Sequence, residues 1–462
     1  MEALIACRRW GPLFPMVVGS RRVGTLASWL PISICVDQQK TMRSARISYL
    51  LILVVSILPH VSKSQEAGDG AFQSPRLSAL KNELRHGNRS ALERFWVEAN
   101  GNAPLIEKFP NDEGLFLVTY LWRGGSEISS VLLQDGPPAQ GQKWLARLAD
   151  TDLWFRTDPV PQDARFTYGY EVRTNHNILS QVDSVPDPLN NHVFAGRSFI
   201  ELPAAPPQHW IQRLPGVPEG KVTLCKIRSK CLSAERDIGV YTPAGYAPNG
   251  KACNILIVFD GQSYHELIPL PVILDNLIAK AQIPPMVAIG IPNPSQEIRQ
   301  RDLHCYEPFA DFVARELIPW ARKNYNISSD PHHAVVAGSS AGGLTAAFCA
   351  FRYPKIFGNV LSQCGSFWYA PDQRDSTPDY LQERGWLTRQ FVSTRRLPLR
   401  FFIETGRFEF QAQVFDHYRI RDVLEAKGYP VIYREYNGGH DYFNWRGTFG
   451  DALISLLGNK NS

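Results

Sequence analysis

The chain has 462 residues, of which 44% are hydrophobic and 20% are charged, a composition typical of a globular protein with two or three domains. This composition excludes a disordered chain, a collagen-like chain and a protein with many membrane spans. The formal net charge is +5, but residues 1–64 carry eight basic and only two acidic side chains, which leaves −1 for residues 65–462. A nearly neutral body has no overall field that attracts nucleic acid, so we expect no nucleic-acid partner.

The amino-terminal segment has the pattern of a secretory leader. A short basic segment at Met42–Arg46 precedes twelve mostly apolar residues, 47–58, and small residues follow at 62–64. This order is typical of a signal peptide, and twelve residues are too few to span a bilayer comfortably. We therefore expect residues 1–64 to be a leader, with translation starting at Met42 and residues 42–64 directing export. Cleavage would leave no stable membrane span; the alternative is an uncleaved membrane anchor.

Six cysteines lie beyond this leader. Cys225 and Cys231 flank a short turn and could bridge a hairpin, whereas Cys349 and Cys364 lie in apolar runs and are expected to be buried thiols. No Cys/His spacing in the sequence is typical of a zinc site, so we expect no bound metal.

A proline-rich seam divides the rest of the chain into two predicted domains. Residues 65–215 show helical spacing of apolar side chains over residues 77–100 and then short β-rich runs, which predicts one helix followed by a small β-sandwich. The runs are Leu115–Trp122, Ser129–Leu133, Trp144–Leu148 and Arg165–Val172. Residues 216–462 alternate strands and helices. This alternation predicts an α/β domain with a doubly wound, mostly parallel sheet, whose functional residues lie at the carboxyl ends of its strands.

The segment Gly338–Gly342 fits the pattern G-x-S-x-G. An apolar strand, 334–337, leads into it and a helical segment follows, which is the strand–turn–helix context of a nucleophile elbow. We therefore predict Ser340 as the nucleophile.

A serine nucleophile needs a base, and in α/β-hydrolases the histidine follows it in the chain. Only His417 and His440 follow Ser340. His417 lies in a predicted helix, whereas His440 lies in a loop after the strand Val431–Tyr436 and can therefore reach the serine. We predict His440 as the base.

The acid of the triad is expected on the loop after the strand Leu399–Ile403. Glu404 and Glu409 both qualify, and we favour Glu409 because it is farther out and freer to turn towards the histidine. Asp441 adjoins His440 in sequence but is expected to point away and to bind backbone.

Two N–H donors must stabilise the oxyanion. Ala341, directly after the nucleophile, is expected to supply one of them. The second is expected from the loop after the strand that ends at Phe259, with Gln262 as the favoured donor and Gly261 permitting the tight turn.

Several segments carry a resemblance to one known family. They are Gly338–Leu344, Tyr353–Trp368, Gly438–Asp441, Trp445–Gly447, Asp260–Gly261, Arg301–Leu303, Ala310–Phe312, Val118–Arg123 and Asp187–Asn190. Within about residues 115–457, the chain resembles the enterochelin (enterobactin) esterase family. The resemblance implies an α/β-hydrolase domain behind a family-specific amino-terminal domain, with Ser340, His440 and an acid in the active site and Glu409 at the family-like position. Some relatives work with serine and histidine alone.

Membership of this family implies hydrolysis of the trilactone backbone of ferric catecholate siderophores. Iron would arrive with the substrate, so no separate cofactor is expected, and the leader would place the protein in the periplasm or, uncleaved, on the inner membrane facing it. An anionic aromatic ligand calls for arginines and aromatic rings. Arg301, Trp368 and Arg407 are the predicted substrate-binding residues.

Two alternatives remain at this point. The same scaffold serves esterases that act on feruloyl or thioester substrates, for which the elbow and His440 would work equally well. A non-catalytic periplasmic siderophore-binding protein is the other alternative, although an intact Ser340 and His440 argue against it.

Overall fold

The computed structural model describes residues 74–110, 112–139, 141–175, 182–371 and 383–458. The predicted leader, including Met42 and residues 42–64, lies outside the described residues. Within the described part, no helix has the length and apolarity needed to cross a membrane.

Two short helices begin the described chain, α1 (Pro75–Arg85) and α2 (Ser90–Ala99). The hydroxyl of Ser74 accepts a hydrogen bond from the Leu77 N–H and so caps α1. The prediction of a single helix over residues 77–100 is wrong because the chain turns at Gly87, whose φ of +83° lies in the left-handed region that glycine tolerates.

The amino-terminal domain contains two four-stranded antiparallel sheets, as predicted for a β-sandwich. The first has the order β1-β2-β5-β4, and the second β3-β6-β8-β7. Side chains of both sheets, among them Tyr120 and Tyr168, form one buried cluster. The strands are β1 (Leu105–Lys108), β2 (Leu115–Arg123), β3 (Ile128–Asp135), β4 (Ala146–Arg147), β5 (Leu153–Pro161), β6 (Arg165–Thr174), β7 (Val193–Phe194) and β8 (Arg197–Glu201).

The carboxy-terminal domain has one eight-stranded sheet of order β16-β15-β14-β13-β11-β12-β10-β9. Strand β10 is antiparallel to both of its neighbours, β9 and β12, and the six strands from β11 to β16 are parallel to one another. This is the predicted mostly parallel sheet. The strands are β9 (Lys221–Ser229), β10 (Ala234–Thr242), β11 (Asn254–Phe259), β12 (Met286–Ile291), β13 (Ala334–Ser339), β14 (Asn359–Gln363), β15 (Arg400–Gly406) and β16 (Val431–Tyr436).

Helices cover both faces of this sheet, which explains why its central strands are apolar throughout. Ile255 and Ile257 of β11 contribute to one buried cluster, and Leu256 and Val258 contribute to the other. The helices are α3 (Ser263–Glu266), α4 (Leu270–Ala279), α5 (Gln296–Asp302), α6 (Glu307–Asp311), α7 (Ile318–Asn324), α8 (Ala341–Arg352), α9 (Trp386–Ser393), α10 (Gln411–Ala426) and α11 (Tyr442–Leu457); a π-helical segment, Phe312–Leu317, connects α6 to α7, and a 3-10 turn, Pro331–His333, precedes β13.

The six cysteines beyond the predicted leader all lie within the described residues, and no disulfide joins any of them. The possible bridge between Cys225 and Cys231 is therefore not formed. Cys349 and Cys364 are buried, as the apolar runs around them predict.

Candidate active site

Ser340 lies on a sharp turn between β13 and α8. Its φ of 54° and ψ of −123° are strained for a residue with a side chain, as a nucleophile elbow requires. Gly338 makes the turn possible, because a Cβ on this residue would lie 2.4 Å from the carbonyl carbon of Gly342. The half-buried serine is thereby placed at the carboxyl edge of the sheet.

The turn that follows β14 encloses this serine. The Ser340 N–H donates a hydrogen bond of 2.9 Å to the carbonyl of Gln363, and the Ser366 N–H donates one of 3.0 Å to the carbonyl of Ser340. The hydroxyl oxygens of Ser340 and Ser366 lie 3.5 Å apart. Residues 363–366 are therefore the immediate neighbours of the nucleophile candidate.

The structure brings His440 and Glu409 together at the end of the adjacent strands. Nδ1 of His440 lies 3.1 Å from Oε1 of Glu409. Their exposure differs sharply, since the Glu409 side chain is 1% exposed and that of His440 is 38% exposed. Burial works to raise the pKa of Glu409, but the adjacent His440 outweighs this effect, so the pKa of Glu409 is lowered and the carboxylate is ionised at neutral pH.

Glu404, the other candidate acid, occupies a different place. It lies inside β15 rather than on the following loop, and its carboxylate accepts hydrogen bonds of 2.8 Å from Nε2 of Gln363 and 2.6 Å from Oγ1 of Thr448. Complete burial raises its pKa to about 7, against the opposing effect of these hydrogen bonds. The structure therefore places Glu409, and not Glu404, beside His440.

The remaining sequence candidates have structural contacts of their own. His417 is fully buried in α10, where its Nδ1 lies 2.8 Å from the Gln413 carbonyl oxygen. Asp441 points away from the site, caps α11 by accepting a 2.8 Å hydrogen bond from the Asn444 N–H, and also accepts one of 3.2 Å from the Thr167 N–H.

Residues that sequence reasoning missed complete the surroundings of His440. Nε2 of Gln413 lies 3.2 Å from Nδ1 of His440, and the Trp445 ring stands edge-on to the imidazole at 4.9 Å. The Sγ atom of Cys364 is also near, within 4.8 Å of ligand atoms of both His440 and Glu409. The strand order could have indicated that Cys364 lies near the site, because Cys364 follows β14 and β14 pairs with β13, the strand that leads into the elbow.

The predicted oxyanion donors lie on the loops that follow two paired strands, β13 and β11. Neither the Ala341 N–H nor the Gln262 N–H has a hydrogen-bond partner among the described residues, although the Gln262 side chain accepts a hydrogen bond from the Asn293 N–H. Both donors are therefore open at the same edge of the sheet.

An ion pair holds the loop that carries Gln262. Arg299 donates to both carboxylate oxygens of the buried Asp260, at 2.7 and 2.9 Å. Asp260 itself has a φ of 53°, and a Cβ on the next residue, Gly261, would lie 2.6 Å from the backbone of Gly290. The loop is thereby held by both charge and close packing.

Arg301 lines an open cleft of about 580 Å³. Its guanidinium lies 5.2 Å from the ring centre of Tyr306 and pairs with Asp302, and its side chain is 46% exposed. The cleft also contains His304 and Tyr369, whose rings are 4.9 Å apart. The Tyr369 N–H donates to the carbonyl of Ser366, so this cleft is connected to the turn around the elbow.

The two other predicted substrate-binding residues are placed differently. Trp368 is half-buried, with its ring centre 6.5 Å from that of Tyr369. Arg407 is exposed and its Nε donates a 2.8 Å hydrogen bond to Glu435.

Comparison with known proteins identifies the family. Residues 229–456 match the family described as putative esterase, and residues 117–211 match the family described as enterochelin esterase, N-terminal. The iron(III) enterobactin esterase of Dickeya dadantii is 30% identical over 412 residues, 79% of this chain and 93% of that protein. The iron(III) enterobactin esterase of Escherichia coli K12 is 27% identical over 403 residues, 79% of this chain and 96% of that protein.

A solved structure supports the same assignment over both domains. The enterobactin esterase from Shigella flexneri, crystallised in the presence of enterobactin, superimposes with a TM-score of 0.62 at 25% identity, covering 79% of this chain and 97% of that chain. The likeness thus extends well beyond the elbow and its neighbours. The chain therefore belongs to the enterobactin (enterochelin) esterase family.

Proposed function

We propose that this chain is a serine esterase that hydrolyses the ester bonds of ferric catecholate siderophores of the enterobactin type. The observation that carries the proposal is the placement of Ser340 on a strained elbow against the turn 363–366. Cys364 of this turn lies within 4.8 Å of ligand atoms of both His440 and Glu409. The relatives named above, which are called enterobactin esterases, supply the substrate class.

Ser340 begins the reaction as the nucleophile. His440 takes the proton of its hydroxyl while Oγ attacks the carbonyl carbon of a lactone bond. The carboxylate of Glu409 holds the imidazole and stabilises its charged form. The open N–H groups of Ala341 and Gln262 stabilise the oxyanion that develops on the carbonyl oxygen.

Collapse of the tetrahedral intermediate completes the first half of the reaction. The ester C–O bond breaks, His440 returns its proton to the leaving alkoxide, and the acyl group remains on Ser340. Water, deprotonated by His440, then attacks the acyl carbon. The bond from this carbon to Oγ of Ser340 breaks, His440 returns the proton to Oγ, and the carboxylic acid is released. Each cycle consumes one water for each ester bond and needs no cofactor, because the iron belongs to the substrate.

The cleft around Arg301 is the proposed binding place for the catecholate arms. Arg301 offers a permanent positive charge, and Tyr306 and Tyr369 offer aromatic faces to an anionic aromatic ligand. Trp368, next to Tyr369, and the exposed Arg407 would contact the outer parts of the same ligand. The leader supports a periplasmic location for this activity, with inner-membrane anchoring as its alternative.

A comparison of substrates tests the proposed function. Purified chain is given ferric enterobactin, iron-free enterobactin, methyl ferulate and an acyl thioester, and the products are separated and weighed by mass spectrometry. We expect linear dihydroxybenzoylserine products, with kcat/KM for enterobactin above that for the ferulate and the thioester. Faster hydrolysis of the ferulate or the thioester would show that the substrates belong to that class instead. Tight siderophore binding without any hydrolysis would indicate a non-catalytic siderophore-binding protein.

A further inference from the structure

A thiol, a carboxylate and an imidazole meet beside the elbow, and the proposed hydrolysis does not need the thiol. One ligand atom each from Cys364, Glu409 and His440 lie within 4.8 Å of one another. Within the part of the chain that the structure describes, this is the one group of at least three such side chains close enough to hold a metal ion.

The spacing of these atoms is close to that of a tetrahedral metal site. Zinc binds sulfur at about 2.3 Å and nitrogen or oxygen at about 2.0–2.2 Å, so neighbouring ligand atoms lie roughly 3.5 Å apart. Nδ1 of His440 and Oε1 of Glu409 are already 3.1 Å apart. The three ligand atoms lie within 4.8 Å of one another, so side-chain rotations would be needed to bring the sulfur into coordination distance.

Glu409 offers a buried carboxylate to a cation. Its side chain is 1% exposed, and neither carboxylate oxygen has a well-aligned hydrogen bond among the described residues, despite the short distance to His440. A cation bound here would add a second positive partner to this buried carboxylate, which His440 already stabilises.

One neighbour of Cys364, Trp445, favours a metal-bound thiolate, whereas burial and the nearby Glu409 raise the pKa of the metal-free thiol. The indole Nε1–H of Trp445 donates to Sγ at 3.2 Å, and the hydroxyl oxygen of Tyr436 lies 3.1 Å from the same sulfur. The indole N–H is a donor that stabilises a sulfur with negative charge, whereas the Tyr436 hydroxyl donates its proton to the Gly439 carbonyl. His440, being 38% exposed, leaves a route for the cation and a position for a water ligand.

We propose that Cys364, Glu409 and His440 form an inhibitory site for a divalent cation of the Zn²⁺ class. When the cation binds, the thiol releases its proton to solvent, and the sulfur, one carboxylate oxygen and one ring nitrogen each donate a lone pair to the metal. His440 then has no free nitrogen aligned to accept the Ser340 proton, and hydrolysis stops until a chelator removes the cation. The inhibition rests on the proposed role of His440, whereas cation binding does not.

The test combines kinetics with a spectroscopic readout of binding. Full-length protein is titrated with Zn²⁺ while it hydrolyses a simple aryl ester, and with Co²⁺ while its absorption is recorded. We expect inhibition that EDTA reverses, one cation bound per chain, and a sulfur-to-cobalt charge-transfer band. In Cys364→Ala, the Zn²⁺ concentration that halves the variant's own metal-free rate should rise at least about tenfold, and the sulfur-to-cobalt band should be absent.

Two further variants keep the result interpretable. Cys364→Ser retains an acceptor for Trp445 and guards against misfolding of the alanine variant, and it should also lose the cobalt band. Cys231→Ala removes a half-buried thiol in the β9–β10 hairpin and should change neither readout. Equal Zn²⁺ inhibition of the native protein and both Cys364 variants, or a cobalt spectrum without the sulfur band, would overturn the proposal. If the native chain hydrolyses no ester, the proposed function fails, and the cobalt band still decides the cation site.

Discussion

The backbone N–H of Thr167, in strand β6 of the amino-terminal sandwich, donates a hydrogen bond to the side chain of Asp441, the residue that follows His440. The same strand contacts both ends of the His440 loop. The Arg165 N–H donates to the carbonyl of Asn437 at 3.0 Å, and Nδ2 of Asn444 donates to the carbonyl of Arg165 at 2.8 Å. The amino-terminal domain therefore supports the loop that carries the proposed base.

Removing the Asp441 carboxylate should slow catalysis more than its effect on stability suggests. Asp441→Ala removes the cap of α11, worth about 1 kcal/mol, and releases the His440 loop from Thr167. Because a small misplacement of a catalytic group is costly, we expect kcat to fall at least about tenfold. Asp330→Ala, which removes a side-chain cap far from the site, is the control and should leave kcat unchanged. Equal kinetics of the two variants would contradict the supporting role.

The two buried glutamates should behave differently in kinetics. Glu409→Gln removes the charge that holds His440, and comparable losses in serine hydrolases lower kcat by roughly 10²–10⁴-fold. Glu404→Gln keeps an oxygen that accepts from Gln363 and Thr448, so kcat should change little. Steady-state hydrolysis of an aryl ester measures both variants. A larger loss in Glu404→Gln than in Glu409→Gln would assign the acid to Glu404 instead.

Glu404 should make folding stability depend on pH. Burial raises its pKa to about 7, above its ordinary value of 4.5, so the folded chain holds this proton more tightly than the unfolded chain does. This contribution to the free energy of unfolding is fully present below the unfolded pKa and is lost as pH rises through about 7. The complete loss amounts to roughly 3 kcal/mol. Urea unfolding of the native protein and of Glu404→Gln measures it. The native protein should lose stability relative to the variant between about pH 5 and pH 8; parallel curves would contradict the prediction.

The arginines of α5 should separate into two kinetic classes. Arg299→Lys keeps the charge but loses the two-point contact with Asp260, so the loop that carries Gln262 loosens and kcat should fall about tenfold with little change in KM. Arg301 lies two residues further along α5 and lines the cleft. Arg301→Lys should therefore raise KM for ferric enterobactin while leaving kcat for a small aryl ester unchanged. Matching effects in the two variants would contradict the division of roles.

Local sequence patterns predicted the parts of the structure that local forces determine. The apolar run before Gly338 is continuous because both faces of β13 are covered, and Gly338 is needed because a Cβ there would meet the backbone of Gly342. The loop position of His440 followed from the strand Val431–Tyr436, whose bounds the structure reproduces.

Features that the sequence did not predict, such as the full extent of β15 and the presence of β5, depend on contacts between segments distant in sequence. Strand β15 continues through Glu404 because this residue pairs with Gln363 on one side and Arg434 on the other, which no property of the run 399–403 indicates. Strand β5 was missed because Pro159 and Pro161 argue against a strand. Strand β4 pairs only with the start of β5, so the second half of β5 is an edge of the sheet. Both prolines lie in this half, where a missing N–H donor is tolerated.

Product analysis of ferric enterobactin with the native chain and with Ser340→Ala tests the central claim most directly. Ser339→Ala, which alters the buried hydroxyl next in sequence, serves as the matched control. We predict linear dihydroxybenzoylserine products from the native and Ser339→Ala proteins, and a rate lower by roughly 10⁶-fold in Ser340→Ala with siderophore binding retained. Unchanged product formation by Ser340→Ala would contradict the account.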